Sequence, residues 1–247
     1  MPAPHRILDP ANPTLQLKVC ALAVMTKAPR AGQVKTRLVP PLTHEEAAQL
    51  NACFLRDTAA AIQEACGQNA VGVGVYTPIG SEAIYTDILP LDFQLLPQCG
   101  DGFGERLALA ADDLFRCGFD SVCLIDSDSP TVSADVYRRA VAALSQSVDR
   151  VVLGPSDDGG YYLIGLNQTH RELFEGIDWS TERVFDQTHR RARDLSLEVI
   201  VLANGYDVDD AATLRRLRDE LLSDESDLQF APDTRKFLVE LRSKKRF

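Results

Sequence analysis

Residues 18–25 have the sequence KVCALAVM, which is apolar throughout after its first lysine. A short and nearly continuous apolar run is typical of a β-strand that is covered on both faces, as in a parallel sheet between helices. Helix-like and strand-like segments alternate from this point onward. This order predicts βαβ units and a mostly parallel sheet.

The remaining segments are assigned from their hydrophobic period and their end signals. A capping box at Thr43 and Glu46 begins the first helix, and Gly67 ends it. The strand at 161–166 follows its predecessor after a short turn, so we expect it to run antiparallel. Further strands are predicted at 71–76, 93–96, 121–125, 150–153 and 197–202, and further helices at 105–117, 133–144, 181–195, 211–222 and 233–242.

Composition and charge exclude several classes of protein. The chain has 247 residues, with 26 lysines and arginines against 36 aspartates and glutamates, for a formal net charge of −10. This balance argues against a nucleic-acid-binding protein, whose phosphate contacts need clustered cations. No apolar run approaches the roughly 20 residues that cross a bilayer, so no membrane partner is expected. The six cysteines form no C-x-x-C pair, which favours reduced thiols in a cytoplasmic protein.

The sequence predicts one domain after a short leader. Residues 1–17 contain four prolines and no apolar core, so we expect a loose N-terminal leader there. No repeat or low-complexity linker interrupts the rest of the chain. Residues 18–247 are therefore expected to form a single domain.

A basic loop follows the first strand. Residues 26–38 contain Lys27, Arg30, Lys35 and Arg37, together with Gly32. In open α/β sheets, ligands bind beyond the carboxyl ends of the strands, and backbone amides with lysine and arginine side chains suit a polyphosphate. The loop is not a Walker A loop, because valine rather than glycine precedes the second lysine. A solvated basic loop is the alternative interpretation.

Carboxylates follow two later strands. Asp126 and Asp128 come directly after the strand at 121–125, and Asp207 and Asp209 follow the strand at 197–202. Side chains at positions i and i+2 of a strand end lie on one side of the chain, so such a pair can hold a divalent cation that also binds phosphate oxygens. Capping of the helices that follow is the alternative role for both groups.

Two glycine-rich segments are further candidates for binding. Residues 100–106, GDGFGER, carry glycine at alternate positions, which does not match the dinucleotide spacing but can present amides to a base or phosphate. Residues 154–160, GPSDDGG, suit a hairpin with its turn at Asp158 and Gly159, and the two carboxylates suit the hydroxyl groups of a sugar or polyol. Trp179 is interpreted as a core or lid aromatic.

Taken in order, these runs resemble the DUF2064 family, whose members are also called radical-SAM/selenodomain-associated transferase 1. The resemblance spans residues 18–220, and its most specific string is 154–166. It is carried by Lys27-Ala28-Pro29 with Gly32 and residues 34–38, and by residues 102–106, 128–130, 154–166, 179–181 and 207–209. The resemblance implies a GT-A-like, nucleotide-diphospho-sugar transferase fold, which is a three-layer α/β/α sandwich. The chain is also similar, more distantly, to 2-phospho-lactate guanylyltransferase and to molybdenum-cofactor guanylyltransferases.

The resemblance also implies roles for individual residues. The first loop holds the nucleotide in those relatives, and two aspartates hold Mg²⁺ or Mn²⁺. The implied nucleotide-binding residues are Lys27, Gly32, Lys35, Thr36 and Arg37, with Gly102 and Gly104 at the nucleobase edge. The implied metal ligands are Asp128 and Asp209, joined by Asp126, which stands where the family motif is expected to have glycine. The predicted catalytic residues are Lys35, Arg37 and Asp128, and the predicted acceptor-binding residues are Asp157, Asp158 and Gly159.

The expected function is a Mg²⁺-dependent transferase. It would move a nucleotidyl group from a nucleoside triphosphate to a small phosphorylated acceptor and release pyrophosphate. The alternatives are a GT-A glycosyltransferase with a nucleotide-sugar donor and a non-catalytic nucleotide-binding module. The basic loop favours nucleotidyl transfer, because cleavage at the α-phosphorus needs cations at that position.

Overall fold

The apolar run at 18–25 lies in the middle of a sheet. The structure, a computed structural model, describes residues 5–13, 17–223 and 230–243. Within them, eight strands form one sheet in the order β1-β4-β3-β2-β5-β7-β6-β8. The strands are β1 (Arg6–Ile7), β2 (Leu17–Lys27), β3 (Ala70–Thr77), β4 (Gln94–Pro97), β5 (Phe119–Ile125), β6 (Arg150–Pro155), β7 (Tyr161–Leu166) and β8 (Glu198–Val201).

The helices connect and flank these strands. They are α1 (His44–Cys66), α2 (Glu82–Tyr85), α3 (Phe103–Arg116), α4 (Ala134–Leu144), α5 (Val184–Asp194), α6 (Ala211–Leu221) and α7 (Pro232–Ser243), with short 3-10 helices at Thr36–Leu38 and Arg171–Phe174. The predicted capping box of α1 is present, since Thr43 accepts from the Glu46 backbone and Glu46 accepts from Thr43. Among the described helices, none combines the length and apolar character that a membrane crossing needs.

One strand reverses the direction of the sheet. β7 pairs antiparallel with both β5 and β6, while the other described pairs are parallel. The segment between β6 and β7 is too short for the crossover that a parallel connection needs, so the chain turns back as a hairpin. The prediction of a mostly parallel sheet with an antiparallel member is confirmed.

The sheet is covered on both faces, as the apolar run of β2 indicates. Cys20, Leu22 and Val24 of β2 pack into one buried cluster, with side chains from α1 and α4. Ala21 and Ala23 point the other way and pack with side chains from α3. A third cluster joins α1 to α6 and α7. The predicted three-layer α/β/α sandwich is confirmed.

The N-terminal segment is tied to the sheet edge, which corrects the prediction of a loose leader for the residues described there. β1 pairs with Gln94 and Leu95 of β4, and Leu8 is buried. The two ring nitrogens of His5 lie 3.1 Å and 3.2 Å from the carbonyl oxygens of Phe93 and Tyr85. The sequence did not predict this strand, because two residues are too few to show a hydrophobic period. Residues 1–4 and 14–16 of the predicted leader lie outside the described residues.

Candidate functional site

Lys35 joins the basic loop to both groups of carboxylates. Its Nζ lies 2.9 Å from Asp128 Oδ2 and 2.8 Å from Asp209 Oδ1, and it donates to the Val208 carbonyl oxygen at 2.8 Å. All three ammonium donors therefore have an acceptor. The lysine backbone has a φ of 48°, in the left-handed region that residues other than glycine rarely adopt. The structure thus brings together the three residues that the sequence placed after three different strands.

The charges of this group stabilise one another. The Lys35 side chain is only 5% exposed. Burial by itself lowers the pKa of Lys35, but the carboxylates of Asp128 and Asp209 outweigh it, so the pKa lies above its ordinary value. Burial by itself would raise the pKa of Asp209. The nearby charges of Lys35 and Arg37 outweigh this effect, so the pKa lies below its ordinary value. Lys35 and Asp209 are therefore both charged at neutral pH.

Asp126 is a carboxyl crowded by acidic neighbours, and the charge of Lys35 offsets them only in part. Its Oδ2 accepts a hydrogen bond from the Ser129 hydroxyl at 2.8 Å. Burial, and then the neighbouring charges of Asp128 and Asp207, hold the pKa of Asp126 well above its ordinary value. Burial also raises the pKa of Asp207, whose Oδ1 accepts from Ser156 at 3.0 Å. This edge of the sheet therefore concentrates carboxyl groups whose ionisation is disfavoured by burial and by one another.

Replacing Asp126 by asparagine is expected to stabilise the protein at pH 7 when divalent cations are absent. A carboxyl whose pKa is raised on folding costs stability once it ionises, and the cost grows as pH rises from about 3.8 toward the folded pKa. We expect a gain of about 1 kcal/mol, or roughly 2–4 °C in Tm, at pH 7 and almost none at pH 3. Thermal unfolding with a chelator at both pH values measures this, with Asp120→Asn on the exposed surface as the control. A lower Tm at pH 7 would contradict it.

The carboxylates fit a divalent cation by their chemistry. Oxygen ligands are those that Mg²⁺ prefers, and the crowding around Asp126 indicates charge that a cation would relieve. In the described part of the chain, no three His, Cys, Asp or Glu side chains are gathered closely enough to hold a metal. Instead, the Lys35 ammonium lies between Asp128 and Asp209. The predicted metal ligands Asp126, Asp128 and Asp209 are therefore not gathered into a metal site in this arrangement, and their role stays a prediction.

The predicted nucleotide-binding side chains surround this ion-pair group. Lys27, Lys35, Thr36 and Arg37 line a depression of about 250 Å³ together with Asp128 and Asp209. Arg37 is exposed, and its Nη1 lies 3.6 Å from Asp209 Oδ2. Gly32 does not line the depression, but its φ of 73° turns the loop that carries the cations. The arrangement places one exposed cation, Arg37, and one buried cation, Lys35, beside a pair of carboxylates.

A larger cleft of about 560 Å³ adjoins the depression and shares Arg37, Asp128 and Asp209 with it. One side of this cleft is aromatic. The Trp179 ring meets Phe103 edge-on at a centroid distance of 5.2 Å and Tyr161 at 6.4 Å. Sequence reasoning missed Phe103, Tyr161 and Glu182 as lining residues. It interpreted Trp179 as a core or lid aromatic, and the structure places this half-buried residue on the cleft wall.

Gly104 packs against Trp179, and this differs from the predicted contact with a nucleobase. A Cβ at this position would lie 2.3 Å from the indole Nε1. The glycine therefore allows the tryptophan to approach α3 closely, and neither Gly104 nor Gly102 lines the cleft. Gly102 has open space around it and precedes the first residue of α3.

The three predicted acceptor-binding residues divide between different roles. Asp158 lines the cleft, and its Oδ1 accepts from the Gly160 backbone at 2.8 Å. Asp157 does not line it, because its carboxylate binds Arg216 Nη1 at 2.5 Å and accepts from Asn204. This placement argues against a substrate contact for Asp157. Gly159 positions the hairpin rather than contacting the cleft.

Substitution of Gly159 by alanine is expected to destabilise the protein by at least about 2 kcal/mol. The residue has a φ of 86°, and an added Cβ would lie 2.2 Å from the backbone oxygen of Glu182. The positive φ alone costs about 1 kcal/mol, and the backbone clash adds to it. Gly32→Ala is the matched control, because its φ is 73° and its surroundings are open. The stability of both variants is measured from their denaturant midpoints. Equal losses of stability would show that the backbone relieves the clash at no cost.

Comparisons with known proteins agree with the fold. The profile of the family described as "Uncharacterized protein conserved in bacteria (DUF2064)" matches residues 47–181. A protein from Desulfovibrio desulfuricans G20, provisionally named a nucleotide-diphospho-sugar transferase, is 28% identical, with a TM-score of 0.80 over 91% of this chain and 95% of that chain. Rv0371c from Mycobacterium tuberculosis H37Rv shares the fold at 16% identity, with a TM-score of 0.50 over 81% of this chain and 98% of that chain. No curated protein matches this chain.

Proposed function

The chain belongs to the DUF2064 family of proteins conserved in bacteria, and we propose that it is a transferase whose donor substrate is a nucleotide. The observation that carries this proposal is the position of Lys35 Nζ between Asp128 and Asp209, beside a cleft at the sheet edge. Ligands of open α/β sheets bind at this edge. The structural similarity to the Desulfovibrio protein, and the name that protein carries, support the same class of reaction.

The side chains suit the phosphate groups of a nucleotide. Arg37 supplies a bidentate fork for charge-assisted hydrogen bonds with phosphate oxygens, and Lys35 supplies a fixed positive charge beside them. Lys27 and Thr36 line the same depression. Bound Mg²⁺ or Mn²⁺, held by Asp126, Asp128 and Asp209, would supply further neutralisation of phosphate charge.

The reaction that we favour is nucleotidyl transfer. An acceptor oxygen forms a bond to the α-phosphorus of a nucleoside triphosphate, while the bond to the leaving pyrophosphate breaks. A hydroxyl acceptor releases its proton to water in the same step. Lys35 and Arg37 stabilise the negative charge on the phosphate oxygens, and the cleft holds the acceptor in line with the breaking bond. The fixed lysine, already desolvated by its burial, is the group best placed for this role.

Glycosyl transfer from a nucleotide-sugar is the second candidate. It is favoured by the name of the Desulfovibrio protein, which covers sugar-nucleotide chemistry. The two reactions leave different products, since one releases pyrophosphate and the other a nucleoside diphosphate.

The product therefore distinguishes the candidates. The protein is first titrated by thermal shift with a panel of nucleoside triphosphates and nucleotide-sugars, with and without Mg²⁺. A true ligand at a hundred times its Kd adds about 2.7 kcal/mol of stability. Those that bind are then incubated with candidate acceptors, and pyrophosphate and nucleoside diphosphate are assayed separately. Nucleotide binding without either product would indicate a binding module, and absence of nucleotide binding would contradict the proposal.

A further inference from the structure

The larger cleft has two chemically different sides. One side is acidic, and the other consists of aromatic and aliphatic side chains from α3, β7 and the segment that precedes α5. The apolar side includes Phe103, Leu107, Tyr161, Ile164 and Trp179. Small-molecule sites commonly combine an apolar wall with a few polar groups that fix orientation. The volume of about 560 Å³ is large enough for a ring-containing ligand.

The charge of the cleft is one-sided. Among the described residues that line it, Arg37 is the one basic side chain, and it already faces Asp209 at 3.6 Å. The acidic lining residues are Asp126, Asp128, Asp158, Glu182, Asp207 and Asp209. Lys35 pairs with Asp128 and Asp209, whereas within the described part of the chain neither Asp158 nor Glu182 forms an ion pair. An anionic acceptor would therefore meet like charge on entering the cleft.

The aromatic side is exposed to the cleft. Phe103 is 57% exposed although it contacts Trp179. Gly104 permits the close approach of Trp179 to α3, so the indole is held in place. Ser180, the next residue, has a φ of 64° and also lines the cleft. Backbone strain of this kind concentrates at ligand sites, where it fixes side chains in position.

We propose that this cleft is the acceptor subsite and that the acceptor is an uncharged, ring-containing polyol, the class of sugars and their glycosides. This proposal rests on the proposed function, because the bound molecule is an acceptor only if the protein is a transferase. The aromatic side chains pack against the apolar face of the ring, and the carboxylate of Asp158 accepts hydrogen bonds from hydroxyl groups. This class replaces the phosphorylated acceptor that was expected from the sequence.

The sole tryptophan of the chain makes the subsite measurable. Phenyl β-D-glucopyranoside and phenyl phosphate are each titrated into the wild-type protein without nucleotide, and Trp179 fluorescence is followed. The glucoside is expected to bind at least about tenfold more tightly than phenyl phosphate, because the cleft repels the anion. Equal or tighter binding of phenyl phosphate overturns the proposal. Failure of both probes to change the fluorescence overturns it as well.

Two variants separate the two sides of the cleft. Phe103→Ala is expected to weaken glucoside binding about fivefold or more, whereas Leu91→Ala, which removes a 64% exposed side chain elsewhere, has no effect. Asp158→Asn is expected to reduce the discrimination against phenyl phosphate several-fold, and Asp120→Asn to leave it unchanged. Unchanged binding in both Phe103→Ala and Asp158→Asn overturns the proposal. Nucleotide binding is measured separately and tests the proposed function. The proposed function and the proposed acceptor class can therefore each fail without the other.

Discussion

Turnover by the Asp128→Asn variant is expected to fall at least about a thousandfold while the fold survives. Asp128 lies in the loop between β5 and α4 and contacts Lys35 at 2.9 Å, so it belongs both to the ion-pair group and to the proposed metal ligands. Asparagine preserves its size but removes its charge. The side chain is one-third exposed, so the loss of this ion pair should change stability by no more than about 1 kcal/mol.

Three measurements on Asp128→Asn make the result specific. Steady-state turnover is compared with that of Asp120→Asn, thermal unfolding reports the fold, and nucleotide thermal shifts with and without Mg²⁺ report the metal. We expect the Mg²⁺-dependent part of the nucleotide shift to disappear in Asp128→Asn only. Near-wild-type turnover would remove Asp128 from the catalytic residues.

The Lys35→Met variant is expected to lose about 10²–10³ in kcat/KM, the usual cost of removing one preorganised electrostatic contact. Methionine fills the buried space but leaves Asp128 and Asp209 without their shared cation. Lys27→Met is the matched control, since Lys27 lines the same depression but is exposed. We expect the control to affect mainly KM.

The stability of Lys35→Met should depend on pH in a defined direction. Lys35 lowers the pKa of Asp209, so the pairing contributes stability above about pH 3.8 and loses it as pH falls through the lower folded pKa. Wild type should therefore exceed Lys35→Met in stability at pH 7, and the difference should shrink at pH 3. Because its competitor is gone, Mn²⁺ should bind the variant more tightly, as judged by electron paramagnetic resonance. Unchanged kcat/KM together with unchanged Mn²⁺ affinity would contradict the role of Lys35.

The sheet could be predicted where local pattern and tertiary structure agree. β2 is apolar on both faces because helices cover both, and β7 is antiparallel because the turn before it is short. β1 could not be predicted, since its two residues are held by pairing with Gln94 and Leu95, far along the chain. Such an edge strand depends on its partner rather than on its own sequence.

The sequence predicts which residues of the site come together, but not how their side chains are oriented. Lys35, Asp128 and Asp209 meet because the ends of parallel strands share one edge of the sheet. The contact of Lys35 with both carboxylates depends on its left-handed backbone, for which the sequence has no signal. Adjacent Asp157 and Asp158 differ only in tertiary partners, since Arg216 binds the first.

The roles of glycine in the site show the same limit. The alternate glycines of 100–106 suggested amides open to a base. Gly104 instead accommodates an indole ring from Trp179, a residue far away in the sequence. Only the folded chain reveals such a pair, because neither residue carries a local signal for the other.

The residues that line the larger cleft come from separate stretches of the sequence, one of which begins at the hairpin between β6 and β7. One continuous stretch, residues 156–184, supplies Ser156, Asp158, Tyr161 and Trp179 to the larger cleft, whereas the cations and two of the carboxylates come from residues 27–37 and 126–128. Exchanging that single stretch between relatives would replace residues of both the acidic and the apolar lining together, while Phe103 and Leu107 of α3 stay unchanged. A change of specificity could then arise by recombination within one short interval of the gene, without altering the proposed phosphate-binding residues of the first loop.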